Sequence, residues 1–509
     1  MIYSSFLHLL PSENIANQKF VSKFVNNIDI NMRKFFIFIT STLITLCVSA
    51  ETIVCTPGKL SGLISDKDVT SLQLSGAINA LDFKFIADEL KQLQSLDITN
   101  CNIEAYSSNK ALFGNAHSFK AHEVPAACFA DSKISELHLP SSLKSIGEGA
   151  FACCSNIEAI TLPAELDSIA AYAFTACASL SEITLPAKLT IVGEGAFSHC
   201  TSLAKVAVDD NNRTDNLVLA SQAFLNCTSL ADVTLGKHIQ SIGSRTFSGC
   251  SNPNFAVNIS ADSQLSEIGE GAFMSSGIKT FNFANCPKLS VIPAYAFATS
   301  SLTDVAIPET VKHISEGAFF YGTSIASISL ADCSASISDL MFAGCKNAST
   351  TGLDDSTNEI GKYAYYGWNQ TQKLVLPEAV SFVGDYAFAN MSSLEKITSK
   401  NLNAPELGEA VFNGVTPSNV LLTTRPEASG YTTAEQWKDF MLTLNGDADN
   451  NTRININDIA AIISYLNGKT PANFLFEAAD ANVDESVNDT DLENVLSIIE
   501  NSETNPETK

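Results

Sequence analysis

Oxygen-bearing side chains alternate through two short stretches near the end of this chain. Asp447, Asp449, Asn451, Arg453, Asn455 and Asp458 stand at positions 1, 3, 5, 7, 9 and 12 of one loop, and Asp480, Asn482, Asp484, Ser486, Asn488 and Asp491 repeat the spacing 33 residues later. A hard cation such as calcium takes roughly six to eight oxygen ligands, and alternate residues of a tight loop supply them, position 7 through its backbone carbonyl. No catalytic pattern competes with this one. There is no Gly-x-Ser-x-Gly, no His-Glu-x-x-His and no Walker loop, the signatures of a nucleophile elbow, a zinc protease and a phosphate cradle. His117 and His122 lie beside Glu123, but their spacing matches no ligand motif, and they read as part of a polar loop. The chain reads as a non-enzyme.

Each loop needs a neighbouring element to hold it. Ile459, Ile462, Ile463 and Leu466 come after the first, and Leu492, Val495, Leu496 and Ile499 after the second. Spacing of i, i+3, i+4 and i+7 places each set on one helix face, so that the two helices can pack together. This duplicated loop and helix, over residues 446–501, resembles a type I dockerin. The resemblance implies two bound calcium ions and docking onto a cohesin domain of a scaffold or cell surface, with recognition at loop positions 10 and 11, Ile456/Asn457 and Asp489/Thr490. One departure bears on the metal: the family's glycine at position 6 is Thr452 in the first loop and Glu485 in the second, and a side chain there strains the sharp turn. Two occupied loops, one, or an acidic helical hairpin with none remain open readings. Residues 502–509 read as a disordered tail.

Most of the remaining chain is one repeated phrase. Residues 139–206 state it three times as Leu-Pro-x-x-Leu-x-x-Ile/Val-x-x-x-Ala-Phe-x-x-Cys-x-x-Leu/Ile-x-x-Ile/Val. Its aromatic column runs Phe129, Phe151, Phe174, Phe197, Phe224, Phe247, Phe273, Phe297, Phe319, Phe342, Tyr365, Phe388 and Phe412, about one ring every 23 residues, with longer excursions before Phe224 and Phe273. A fixed period of that size marks a solenoid, because one unit buries its apolar side only against a neighbour. With one strand per rung in a shared parallel sheet, the stack would be roughly 60 Å long. Glycine pairs Gly147/Gly149, Gly193/Gly195 and Gly269/Gly271 precede the column, lack the third glycine of a dinucleotide fingerprint, and read as turn glycines. The Leu139-Pro140, Ile146-Gly147, Ala150-Phe151 and Cys154 to Ile157 steps resemble the BspA-like class of leucine-rich repeat, over about 129–420. That resemblance implies an α/β-type repeat solenoid in a secreted or cell-surface bacterial protein that adheres to host matrix proteins or to other cells.

Cys154, Cys177, Cys200, Cys227, Cys250 and Cys345 all lie three residues after the aromatic column, so they occupy one inward site on successive rungs. There a free cysteine packs as a small hydrophobe, although strands about 4.8 Å apart also fall within the reach of a cross-rung disulfide. The outward neighbours, such as Glu136/His138, Glu182/Thr184, Asp304/Ala306, Ser327/Ser329 and Lys396/Thr398, are small and polar. Such a face is open to a ligand without naming one.

At the front, Met32-Arg33-Lys34, an apolar run from Phe35 to Val48 and a small-x-small end before Glu51 spell a secretory signal peptide over 32–50. Residues 1–31 then read as a mis-called start, and the mature chain carries no transmembrane segment. Residues 51–128 read as an N-terminal cap, with strands around Leu72, Leu74 and Leu96 and a helix from Ala80 to Leu93; residues 421–445 read as a C-terminal cap or linker. A formal net charge of −25, with only 17% charged residues in 509, excludes a nucleic-acid binder, which relies on Lys and Arg contacts to phosphate. The sequence therefore points to a secreted or surface binding protein, adhesin-like, contacting protein or glycan through its repeat face and tethered through the calcium module to a cohesin-like domain or other scaffold. The alternative is a non-catalytic spacer in a cohesin–dockerin assembly.

Overall fold

The computed structural model describes residues 52–504 apart from 115, 331–335, 350, 452 and 483–485. The expected leader at 32–50, the upstream segment 1–31, Thr452, Asp484 and Glu485 lie outside the described residues.

The chain is a parallel β solenoid of stacked coils followed by a small helical region. Successive coils pair in parallel: Glu182–Leu185, Lys205–Val208, Asp232–Leu235 and Ala256–Ile259 form one continuous ladder. Alternation sets the two faces, with Ile183 and Leu185 buried and Glu182 and Thr184 exposed. A second ladder, not expected from the sequence, is built mainly of two-residue strands such as Ser145–Ile146, Ser168–Ile169 and Ile191–Val192. Strands this short carry no readable alternation, which is why the repeat predicts one line of paired strands and the coils also pair along a second.

Inside the coils the aromatic column is a single stack. From Phe129 to Phe412 successive ring centroids lie 5.0 to 5.9 Å apart with interplanar angles of 3 to 25°. Tyr365 keeps its place in the stack and donates its hydroxyl to the Thr351 carbonyl at 2.9 Å. Both ends are closed by rings turned edge-on. Phe83 meets Phe129 at 69°, and Trp437 and Phe440 meet Phe412 at 63° and 77°. Edge-to-face contact is a favoured aromatic geometry, and it shields the outermost ring from water.

Phe83 comes from helix α1, Ala80–Glu89, shorter than the expected run to Leu93 because Leu90 leaves helical geometry. Asn79 caps α1, and the buried Asp82 carboxylate accepts the amides of Asn79, Gly58 and Leu60 at 2.7 to 2.9 Å. The N-terminal segment also extends the sheet, with Ile53–Cys55, Ser71–Ile78, Ser95–Ile103 and Glu136–His138 pairing in parallel. Beyond residue 420 the ladder likewise continues through Leu421–Thr424 and Met441–Leu444. The chain 421–445 thus contributes strands where the sequence suggested a cap or linker; the irregular polar stretch around Pro426 that separates the two strands hides the pattern.

Each described cysteine is free. Those on the inward column donate their S–H to the carbonyl of the ring residue one coil back: Cys177 to Phe151 at 3.2 Å, Cys200 to Phe174 at 3.1 Å, Cys227 to Phe197 at 3.1 Å. Trp368, which replaces cysteine in its coil, donates Nε1 to the Phe342 carbonyl at 2.8 Å. The side chain therefore satisfies a buried backbone acceptor as well as filling space, a role that its column position alone did not disclose.

Candidate metal centre

The last solenoid strand, Met441–Leu444, leads into the first acidic loop within three residues: the Asp447 amide donates to the Leu444 carbonyl at 3.1 Å. The loop closes on helix α2, Ile456–Leu466, whose N-cap is Asn455. The Asn455 side chain accepts the Asn457 amide at 2.9 Å, and Asp458 returns the contact by accepting the Asn455 amide at 2.8 Å. The other Asp458 oxygen accepts the Asp449 amide at 3.0 Å, and Asp447 accepts the Asn451 amide at 2.8 Å. Loop position 12 thus ties positions 3 and 9 together before any ion is considered.

The second loop makes the same ties. Asp491 accepts the Asn482 amide at 3.1 Å and the Asn488 amide at 2.9 Å, and Asn488 accepts the Thr490 amide at 2.8 Å. A helix α3, Phe476–Ala479, precedes this loop, and α4, Asp489–Thr504, comes after it, running into the stretch expected as a tail. The Asn-x-x-Asp steps 455/458 and 488/491 are capping boxes in all but residue type; they are visible in the sequence and were missed there as structural devices.

The carboxylates of Asp447, Asp449 and Asp458 come together, with one oxygen from each lying within 4.8 Å of the others. Asp447 and Asp458 are buried, and one Asp449 oxygen is buried with no hydrogen-bond partner. Burial, followed by the neighbouring Asp449 and Asp447 charges, pushes the Asp458 carboxyl up to about 6 despite two backbone amides that favour its charged form. Three close carboxylates, two of them buried and the third with one orphaned buried oxygen, have the chemistry to hold a hard cation. Of the other expected ligands, the Asn451 and Asn455 oxygens are turned onto the Arg453 and Asn457 amides, and the Arg453 carbonyl accepts from the Asn455 side chain at 3.3 Å. In the second loop Asp480 and Asp491 are buried, while Ser486 sits near the surface beside the Asn488 amide group at 3.0 Å. His117 and His122 join no such group among the described residues.

The helix stripes are used only in part. Ile462 and Val495 are fully buried between α2 and α4, with Ile459, Leu492 and Ile499 packed around them. Ile463, Leu466 and Leu496 remain 39 to 46% exposed, and Ile456, at loop position 10, is 68% exposed. A stripe wider than the contact it serves leaves an apolar margin.

The profile of the BspA type Leucine rich repeat region matches residues 122–216, 217–349 and 317–424, in six copies. The chain belongs to the BspA type leucine-rich repeat family. A second profile, the Dockerin type I domain, matches residues 445–499, so both resemblances read from the sequence hold. Among solved structures the chain is similar to a leucine-rich repeat protein from Bacteroides ovatus, with 21% identity over 65% of this chain and 89% of that one and a TM-score of 0.49. It is also similar to a leucine rich cell surface protein from Faecalibacterium prausnitzii, with 18% identity over 57% and 85% and a TM-score of 0.33. No curated protein matches the sequence. No helix among the described residues is long and apolar enough to cross a membrane.

Proposed function

We propose that this BspA type protein is an exported, non-catalytic binding protein of the bacterial surface. Its dockerin domain holds calcium and docks onto a cohesin-type partner, while the solenoid presents the contact surface to protein or glycan. The observation that carries this reading is the Asp447, Asp449 and Asp458 group, placed directly after the last strand of the solenoid. Asp447, Asp449 and Asp458 would hold the ion, with the Arg453 carbonyl and the Asn451 side chain completing the first loop; the equivalent residues Asp480, Asn482, Asp484, Ser486, Asn488 and Asp491 would hold a second. With Asp447, Asp449 and Asp458 as its ligands, a divalent cation would offset most of their charge and tie together the loop that starts α2. That in turn fixes Ile456 and the exposed margin of Ile463 and Leu466, a surface of the apolar kind that buried interface anchors use.

The test is retention of the full chain on a panel of immobilised cohesin domains, with calcium and with chelator. Calcium-dependent retention is expected, and it should be lost in Asp447→Ala and in Ile456→Asp. No retention by any cohesin in calcium would overturn the docking half. If docking holds but the chain captures no matrix protein or glycan, the solenoid is a spacer and the adhesive half falls.

A further inference from the structure

The edge of the solenoid that carries the inward rings differs from the sheet face in composition. Each coil passes through left-handed backbone two residues before and two residues after its inward ring. Gly149, Gly195, Gly271 and Gly317 fill the earlier position in several coils, as expected for a conformation that L side chains resist. In the C-terminal half the same positions hold Tyr295, Tyr363 and Tyr386, and Tyr321 takes the later one. With Phe320 and Tyr366 beside them, these rings gather on one edge. Tyr363 stacks on Tyr386 at 5.1 Å and 3°, and Tyr366 meets Tyr363 edge-on at 5.8 Å. Phe320 lies 4.6 Å from Tyr321 and 6.3 Å from Tyr295. Tyr321 is 47% exposed and Tyr363 37%.

Carboxylates run alongside. One residue before the earlier left-handed position, four of the C-terminal coils carry Glu316, Asp339, Asp385 and Glu409, in the column that holds Glu148, Glu194 and Glu270 further up and Ala294 before Tyr295. Tyr295 donates to Glu316 at 2.8 Å and Tyr386 to Glu409 at 3.3 Å, whereas the hydroxyls of Tyr321, Tyr363 and Tyr366 have no partner among the described residues. Lys362 brings a cation into this acidic column, and it pairs with Asp385 at 2.8 Å.

We propose that this tyrosine edge, and not the small polar sheet face, is the solenoid's docking surface, and that its occupant is a basic protein segment. The proposal rests on the solenoid being the contact-making part of the molecule. Tyrosine supplies large contact area at low entropic cost and is enriched at interface hot spots. An arginine side chain stacks its guanidinium on such rings and pairs with a flanking carboxylate. The net charge of −25 draws basic partners and repels polyanions.

The test uses the full chain and a fluorescent nonapeptide of alternating arginine and glycine, titrated by anisotropy at low salt in calcium and again in chelator. A citrulline peptide of the same length serves as the uncharged control. The arginine peptide should bind in both buffers and the citrulline peptide should not. The triple variant Tyr321→Ala, Tyr363→Ala, Tyr366→Ala should weaken binding at least tenfold with unchanged circular dichroism. Glu316→Gln with Glu409→Gln should weaken it severalfold. Removing two carboxylates away from this edge, Glu165→Gln with Glu182→Gln on the sheet face, should change it less than twofold. Equal loss from that control, or full binding by the folded tyrosine variant, would overturn the proposal. Binding that vanishes in chelator would also overturn it, by assigning the contact to the calcium module, and would leave the tethering role standing.

Discussion

The cysteine three residues past six of the rings shows how much one side chain does in this fold. Its thiol reaches the carbonyl of the coil before, as Cys200 reaches Phe174. Serine takes the site in three coils: Ser132 pairs with the Cys154 thiol at 3.3 Å, whereas Ser276 and Ser300 each keep a buried hydroxyl without a partner. Burial holds these thiols well above the ordinary range, with Cys250 and Cys345 pushed up to about 12. A raised value means less thiolate at any given pH, and thiolate is the reactive form. In the folded chain at pH 8, peptide mapping after alkylation should therefore find Cys153, which is exposed, modified within minutes, while Cys177, Cys200, Cys227 and Cys250 react only after denaturant is added. The inward position of these residues was legible from their constant offset. Their bond to the neighbouring coil was not, because a constant offset defines a column but not the direction in which a side chain points along it.

At the level of the turn, the paired glycines divide two tasks that the sequence had merged into one. The first of each pair sits where coils nearly touch: a Cβ on Gly193 would lie 2.6 Å from the backbone of Ala170 and Ala171. The second is needed for its left-handed backbone, with Gly149 at φ +60° and no atom nearer than 3.9 Å to a built Cβ. Gly193→Ala must push two coils apart and should cost about 1–3 kcal/mol, seen as a lower urea midpoint. Gly149→Ala meets open space and should cost about 1 kcal/mol through backbone strain alone. A reversed order would mean that the coils separate more easily than their packing implies. The repeat showed where these turns lie and how often they recur. It did not separate steric from conformational need, since both are met by the same residue type. The second sheet escaped for a related reason: two residues are too few to show a period.

Across the whole described chain, the dockerin module is seated on the solenoid with no free linker between them. The Gly446 amide donates to the Ala478 carbonyl at 2.8 Å, and Lys396 Nζ reaches the Glu477 carbonyl at 3.4 Å. Thr398, expected on an open outer face, is buried along with its ladder partners Thr423 and Thr443, because this end of the sheet is not left bare. Neither boundary nor burial could be read from residues 421–445, where an irregular polar stretch around Pro426 separates two strands that only their neighbours define. If calcium holds the first loop, hydrogen exchange of Met441–Leu444 in the full chain should be slower with calcium than with chelator, because an ion bound only to the folded state stabilises what it touches. Equal rates would separate the module's seat from its metal. The stack of rings has a different consequence, in the history of the chain. Since every coil offers its neighbour the same ring at nearly the same spacing and tilt, a copied or deleted coil finds both new neighbours already in phase. The molecule can therefore grow or shrink by whole steps of about 4.8 Å while its two ends stay as they are, and reach becomes a trait that inheritance can adjust by counting.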